Sequence, residues 1–499
     1  MSTRRSLGDT ASALLNAASQ YIDGVPVEGA GEPLAVVDPT TEQTLASVPT
    51  ATVAQVDAAV ASARRAFDGG LWSRLRPGER SLFLHRIAER LDAHRDALAE
   101  IVVAEGGSPI SLARSLQVGA AIEHLAWFAD AAARGPAGAY EHPLPRHAGP
   151  PASEGVLVYE PIGVVAAITP YNIPLLTAVW KAAAALAAGC TTVLLPSPQA
   201  PLASAAFAAL VAEADLPPGA FNFLIGAAAA GRRLSEHPDV DMITFTGSNA
   251  VGLAVAQQAA PTFKRVVLEL GGKSPNVVLP GAQVDETLVT ASLLRFCRNA
   301  GQACGATTRT FVPRAAYDDY VDIARGMLAQ VPVGDPWDEQ TAVGPLISAP
   351  HRDRVQGFVD RALAAGGRIE AQGAAPATSG GFFMSPALLG GVDNRAEIAR
   401  TELFGPIGLV FPYDDVEQML RLANDSPYGL NANVWGPLPE AQQVARGIRS
   451  GTVTINGGGW LRSDAPFGGY RHSGNGREAG EEGFREFFEV KHVQWPAQG

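Results

Sequence analysis

Lysine, cysteine and net positive charge are all scarce in this sequence. Four lysines, Lys181, Lys264, Lys273 and Lys491, stand among 38 basic residues, and 50 acidic residues leave a formal net charge of −12. A chain with that balance lacks the basic face needed to wrap nucleic acid, so a nucleic-acid partner is excluded. The preference for arginine alongside abundant alanine reflects genome composition, and it makes each remaining lysine worth following. Three cysteines, Cys190, Cys297 and Cys304, cannot build a disulfide framework, and no Cys-x-x-Cys pair is present to hold zinc. The longest apolar stretch, Ala182 to Leu195, falls short of the roughly 18 residues a bilayer requires, so no membrane partner is expected. No secretory leader is visible behind Arg4 and Arg5. A reducing, cytoplasmic setting is the expectation.

Several common catalytic signatures are missing as well. Gly271-Gly272-Lys273-Ser274 ends like a phosphate-cradling loop, but the glycine required five residues before Gly272 is Val267. No G-x-G-x-x-G follows the first strand, and Gly247-Ser248 continues as Asn249-Ala250 rather than as a nucleophile elbow. The nine histidines show no zinc-helix spacing, so no metal is expected.

What is present is a large globular core, 47% apolar, in 499 residues. From Val53 to Leu98 apolar residues recur at helical spacing, with Pro77-Gly78 as punctuation. From Gly155 onwards short apolar runs alternate with helical segments. Val164 to Ile168 reads as a strand buried on both faces, followed by a helix from Leu175 to Ala188 and a strand from Thr191 to Leu195. The alternation continues to Leu268 and predicts crossover units on a parallel sheet, which bind ligands at the carboxyl ends of their strands. A second α/β region starts near Pro275, and a strand is expected from Glu489 to Gln494.

Three residues carry possible chemistry. Cys304 lies among small residues, Gly301-Gln302-Ala303-Cys304-Gly305, where a substrate can approach a thiol closely. Taken alone, a single cysteine is more often buried and inert. Glu269 ends a strand, at the edge where a ligand crevice forms and where desolvation raises a carboxyl toward the general-base range. A strand-end glutamate is as often a structural cap. Asn172 sits in a loop stiffened by Pro170 and Pro174, where its amide could serve as an oxyanion donor.

Together these residues belong to six stretches that resemble the aldehyde dehydrogenase superfamily, in order along almost the whole chain. The stretches are Thr169 to Leu175, Phe245 to Ser248, Leu268 to Pro275, Gly301 to Cys304, Glu402 to Pro406, and Pro466 to Glu478. The resemblance implies an α/β, aldehyde-dehydrogenase-like fold: two Rossmann-type parallel-sheet domains plus a small oligomerisation arm. It implies a dinucleotide-binding domain over 1–138 and 161–270, a catalytic domain over 271–480, and an arm over 139–160 and 481–499 that joins a homodimer or homotetramer. It implies Cys304 as nucleophile, Glu269 as base for hydrolysis, Asn172 as oxyanion donor, and Lys181 as a proton relay with Glu478. A helix-to-loop tie is an equally good reading of Lys181. The cofactor residues implied are Ile168, Thr169, Pro170, Tyr171, Gly247, Ser248, Leu270, Gly271, Glu402 and Phe404.

Two departures matter. The family's strand usually ends Lys-Pro-x-Glu, whereas here Leu195 replaces the lysine and Pro198 the glutamate. The losses pull in opposite directions for a 2′-phosphate. NAD is expected over NADP, because nothing basic in that run replaces the lysine, and affinity is expected to be weak. For the substrate, Ile173, Leu176, Thr177 and Trp180 on one side and Trp460 and Phe467 on the other imply an apolar or aromatic aldehyde. Arg298 resembles the arginine that semialdehyde-type members use for a carboxylate, with Arg462 as a possible helper. Transfer to coenzyme A is disfavoured by the retention of Glu269, and a retired, structural role by the intact Cys304, Glu269 and Asn172.

Overall fold

The computed structural model describes residues 6–16, 19–376, 380–459 and 461–497. Its first sheet has eight strands. Five are parallel and run, in spatial order, Arg265–Glu269, Met242–Thr246, Val164–Ile168, Thr191–Leu195 and Phe221–Phe223. Helices cover both faces, which is why the strands read as continuous apolar runs. Antiparallel strands close both edges: Gln20–Ile22 beside Phe221–Phe223, and Gly474–Asn475 beside Arg265–Glu269. The second of these returns from the last thirty residues, and the Leu268 N–H donates to Asn475 Oδ1 at 2.9 Å. Local periodicity cannot reveal such a pairing. The order reverses between Val164–Ile168 and Met242–Thr246, so the loops after these strands open a crevice between them.

The second sheet has seven strands, in the order Arg368–Gln372, Ala387–Gly390, Ile407–Tyr413, Thr307–Pro313, Ser274–Val278, Asn431–Trp435 and Thr452–Ile455. All but the first pairing are parallel. A third, small sheet pairs Phe488–Pro496 with all nine residues of Ser153–Pro161, which in turn pairs with Glu141–Pro143. Parallel sheets with helical crossovers match the expected fold class.

Pro77 stands between the helices Val53–Asp68 and Pro77–Ala93, as expected, and opens the second at its first position, where a missing N–H costs nothing; one local expectation changes. The helix after the Asn172 loop is not uniformly α: Pro174–Ala178 runs into a π-type turn, Val179–Ala183, before Ala184–Ala188. One extra residue in that turn re-aims Trp180 and Lys181, as π-bulges at functional sites commonly do. A second π-type segment, Ala113–Gly119, carries Gln117 toward the same region.

The Cys304 loop is held in a conformation that only one of its residues accepts freely. Asn299, Ala300 and Gly301 all have positive φ, at 52°, 52° and 74°. A Cβ on Gly301 would run into the Gly405 carbonyl. Gly301→Ala therefore combines left-handed strain with a backbone clash and should cost at least about 2 kcal/mol. Thermal melting and an aldehyde assay on the same preparation should show a lowered Tm and lost turnover; an unchanged Tm would contradict the geometry.

Candidate active site

Amide hydrogen bonds tie the loop after the first parallel strand to the Cys304 loop. Asn172 Nδ2 donates to the Gln302 carbonyl at 2.9 Å, and Asn299 Nδ2 donates to the Asn172 carbonyl at 3.1 Å. Gln302 is buried and locked in turn, its Nε2 donating to Asn299 and Pro345 carbonyls and its Oε1 accepting from the Ile347 N–H. Gln117 Nε2 adds a longer bond to the Asn172 carbonyl at 3.4 Å. One Asn172 N–H is thus spent on positioning, and its second N–H carries no partner among the described residues.

A cleft of about 760 Å³ opens at the crevice between the parallel strands. All ten residues expected to hold a cofactor line it: Ile168, Thr169, Pro170, Tyr171, Gly247, Ser248, Leu270, Gly271, Glu402 and Phe404. Leu195, Pro198 and Cys304 line it too. Thr169 Oγ1 and Thr246 Oγ1 are buried on its wall without a hydrogen-bond partner, as suits groups awaiting a polar ligand. Ser248 caps the Asn249–Ala259 helix, its hydroxyl accepting the Val251 N–H at 3.4 Å, and the first turn of that helix, Ala250 and Val251, faces the cleft. A Cβ on Gly271 would strike the Glu402 carboxylate, so glycine lets that side chain lie over the strand end. Glu402 Oε1 accepts the Gly272 N–H at 3.0 Å, and burial pushes its carboxyl up to about 7. Neutral amides, small residues and a capped helix terminus fit a dinucleotide.

His351 and Arg354, which the sequence reading overlooked, also line the cleft. His351 Nε2 contacts the Phe404 carbonyl at 2.7 Å, and Arg354 Nη2 donates to the Leu403 carbonyl at 2.7 Å. They brace the turn in which Phe404 has a φ of 61°. Their three-residue spacing behind the Ser348 N-cap was the only signal in the sequence.

Asn172 also lines a second cavity of about 520 Å³, on the far side of the Cys304 loop. Its walls include Leu112, Leu116, Ile173, Leu294 and Leu461, together with Arg295 and Arg298. Arg295, in the last turn of the Glu286–Cys297 helix and three residues before Arg298, was not anticipated; burial and then Arg298 lower its guanidinium to about 10. Trp180 and Phe467 pack against each other, ring centroids 5.3 Å apart, and line a third cavity of about 350 Å³ with Leu461 and Arg462. Thr177 lines none of these cavities: it is buried, and its hydroxyl donates back to the Ile173 carbonyl at 2.8 Å. Leu176 is fully buried, and Arg462 is paired with Asp464. Trp460 lies outside the described residues.

A cluster of buried titratable groups surrounds Cys304. Glu269 is buried, its Oε1 has no partner, and burial, then the Glu478 charge, hold its carboxyl well above the usual range. Lys181 is fully buried, donates to Thr244 Oγ1 at 3.1 Å and is ion-paired with Glu478. Burial, then the Glu269, Glu402 and Glu478 charges, push the Cys304 thiol well above its ordinary value, against a weaker pull from the Gly305 N–H.

A nucleophilic thiol, a buried carboxyl and a positioned amide beside a dinucleotide-shaped cleft agree with the comparison to known proteins. The aldehyde dehydrogenase family matches residues 27–493. The chain belongs to that family. Its enzymatic class is therefore NAD(P)-dependent aldehyde dehydrogenase. It is similar to a 3-succinoylsemialdehyde-pyridine dehydrogenase from a Pseudomonas species, 39% identical over 480 residues that cover 95% of this chain and 97% of the other. Geranial dehydrogenase from Castellaniella defragrans is 37% identical, covering 92% and 94%. Among solved structures, a cysteine-to-alanine variant of aldehyde dehydrogenase C from Pseudomonas syringae, complexed with NAD+ and octanal, superimposes with a TM-score of 0.90 at 39% identity, covering 98% of each chain. Betaine aldehyde dehydrogenase from Staphylococcus aureus in complex with NAD+ gives a TM-score of 0.92 at 32% identity, covering 98% and 97%. Among the described residues no cluster could hold a metal, and no helix is long and apolar enough to cross a membrane.

The raised thiol fixes a pH signature for this family member. Without cofactor, Cys304 is protonated at neutral pH, so the thiolate fraction should climb about tenfold per pH unit below the thiol's pKa. Iodoacetamide inactivation followed from pH 7 to about 9 should show that climb; a rate already flat at pH 7 would mean a preformed thiolate.

Proposed function

We propose that the chain oxidises an apolar or aromatic aldehyde to its carboxylic acid, with Cys304 as nucleophile and water as the final acceptor of the acyl group. The observation that supports this reading most is the position of Asn172: it lines both the cofactor cleft and the second cavity, with Cys304 at the boundary between them. The Cys304 sulfur adds to the aldehyde carbon, its proton leaving to solvent, and the carbonyl oxygen becomes an oxyanion. The free Asn172 N–H and the Cys304 backbone N–H stabilise that charge. NAD(P), when bound, supplies the hydride acceptor. Glu269 then removes a proton from the water that attacks the thioester, which returns the thiol and releases the acid. Lys181 and Glu478 keep a buried charged pair next to Glu269 and so govern where its proton goes.

Glu402 and Gly271 suit the nicotinamide ribose, and the helix terminus after Ser248 suits the pyrophosphate. NAD is the cofactor favoured by this reading, because structural relatives bind it. Leu195 is buried and offers the adenosine ribose no polar group, which agrees with weak binding.

The apolar walls of the second cavity favour an apolar substrate. A second reading draws on one feature, the absence of any ion pair for Arg295 and Arg298 among the described residues, which suits an aldehyde with a distal carboxylate. A panel with NAD, without coenzyme A, separates the two: kcat/KM for octanal or benzaldehyde should exceed that for succinic semialdehyde by at least about tenfold, and the reverse order would favour the carboxylate reading.

Two variants test the chemistry. Cys304→Ala should abolish turnover. Glu269→Gln should keep a first burst of reduced cofactor and slow the steady state by about a hundredfold or more; loss of the burst instead would place Glu269 in the first step.

The division into a dinucleotide-binding domain, a catalytic domain starting near Gly271 and an arm is part of the same proposal. Phe488–Pro496 is an edge strand with Val490, Val493 and Trp495 exposed, and Thr452–Ile455 is the edge of the second sheet. Two such edges suit pairing between copies. A cytoplasmic homodimer or homotetramer follows, and light scattering on the purified chain should give a mass of at least two chains.

A further inference from the structure

The end of the large cleft far from Cys304 is formed by two strand ends, the run from Leu195 to Gln199 and the segment from Gly226 into the Ala228–Glu236 helix. Leu195 turns its methyl groups beneath Gly226 and Gly231 and so presents nothing polar. Besides Tyr171 and Cys304, four titratable side chains line the whole cleft: Arg232, His351, Arg354 and Glu402. The last three gather at the other end, around Leu403 and Phe404. No carboxylate lines the far end, and Arg232 is the charged group that does.

Arg232 is not spent elsewhere. Its Nε donates to Glu236 Oε1 at 2.8 Å along the same helix, and its two Nη groups have no partner among the described residues. The pair is well exposed, so Glu236 binds Arg232 weakly and leaves the fork free for a stronger anion.

We propose that Arg232 is a specificity-determining residue that accepts the 2′-phosphate of NADP, so that this enzyme takes NADP as well as NAD. The 195–199 run contains no base, but the neighbouring helix brings one to the same wall. The missing carboxylate removes the repulsion that would exclude the phosphate, and the arginine supplies an attraction. This inference rests on the reading of the cleft as a nicotinamide dinucleotide site.

Calorimetric binding of 5′-AMP and 2′,5′-ADP to the purified full chain tests it without turnover. Wild-type protein should bind 2′,5′-ADP with an affinity within about tenfold of that for 5′-AMP. Arg232→Ala should shift the ratio of the two affinities by about tenfold against 2′,5′-ADP, and Arg232→Lys should recover most of the shift. Raising salt should weaken wild-type binding of 2′,5′-ADP more than that of 5′-AMP. An Arg232→Ala variant that weakens both nucleotides equally, or a wild type that binds 2′,5′-ADP weaker than 5′-AMP by more than about tenfold, overturns the proposal and leaves the dinucleotide site standing. Failure of both nucleotides to bind overturns the site and the proposal together.

Discussion

The contact between Asn172 and the Gln302 carbonyl holds two sheets in one working arrangement. Asn172 belongs to the loop after a central strand of the first sheet, and Gln302 to the loop that feeds Thr307–Pro313 in the second. The Cys304 loop is strained in the conformation it adopts, since Asn299 and Ala300 stand in left-handed backbone without glycine's tolerance. Reciprocal amide bonds among Asn172, Asn299 and Gln302 offset that strain, and they satisfy buried polar groups that would otherwise be costly. The same bonds place the nucleophile between two cavities, so the strain is tied directly to the site.

Behind the nucleophile, electrostatics works against easy ionisation. Glu269, Glu402 and Glu478 all raise the Cys304 thiol, while burial raises Glu269 itself. Lys181 is the buried cation that keeps this acidic cluster tolerable, and its pairing with Glu478 leaves Glu269 without a direct partner. An unpartnered buried carboxyl is expensive for the fold and useful for moving a proton. The π-type turn that carries Lys181 inward also brings Trp180 against Phe467, linking the proton network to an aromatic wall. Trp180 Nε1 donates to the buried His124 Nδ1 at 2.8 Å, which fixes the indole orientation from behind.

Much of this was legible in the sequence. Continuous apolar runs such as Val164 to Ile168 announced strands covered on both faces, and the structure places them in a parallel core. The ten residues that the family resemblance implied for the cofactor line one cleft: eight lie at or just after the ends of first-sheet strands, and Glu402 and Phe404 follow the short helix Glu397–Arg400. The cavity lining was read less well. Thr177 faces the wrong way for a pocket, and Trp180 lines a different cavity from Ile173, because a helix with a π-type turn does not follow the 3.6-residue period that a sequence reading assumes. His351 and Arg354 went unnoticed because their helix lies about fifty residues before the turn they brace, and Arg232 because a charged residue within a helix reads as solvated surface.

The sequence alone determined the fold class and the alternation of strands and helices from Val164 to Leu268, and its family resemblance singled out Cys304, Glu269 and Asn172. Local patterning and short motifs carry such information because burial periodicity and backbone chemistry act over a few residues. The tertiary structure alone decided which side chains share a wall. Gly474–Asn475 pairs with a strand some two hundred residues earlier, and Arg232 comes to the same cleft end as Leu195 from a separate helix. Long-range packing of whole elements sets those neighbourhoods, and no local propensity encodes them.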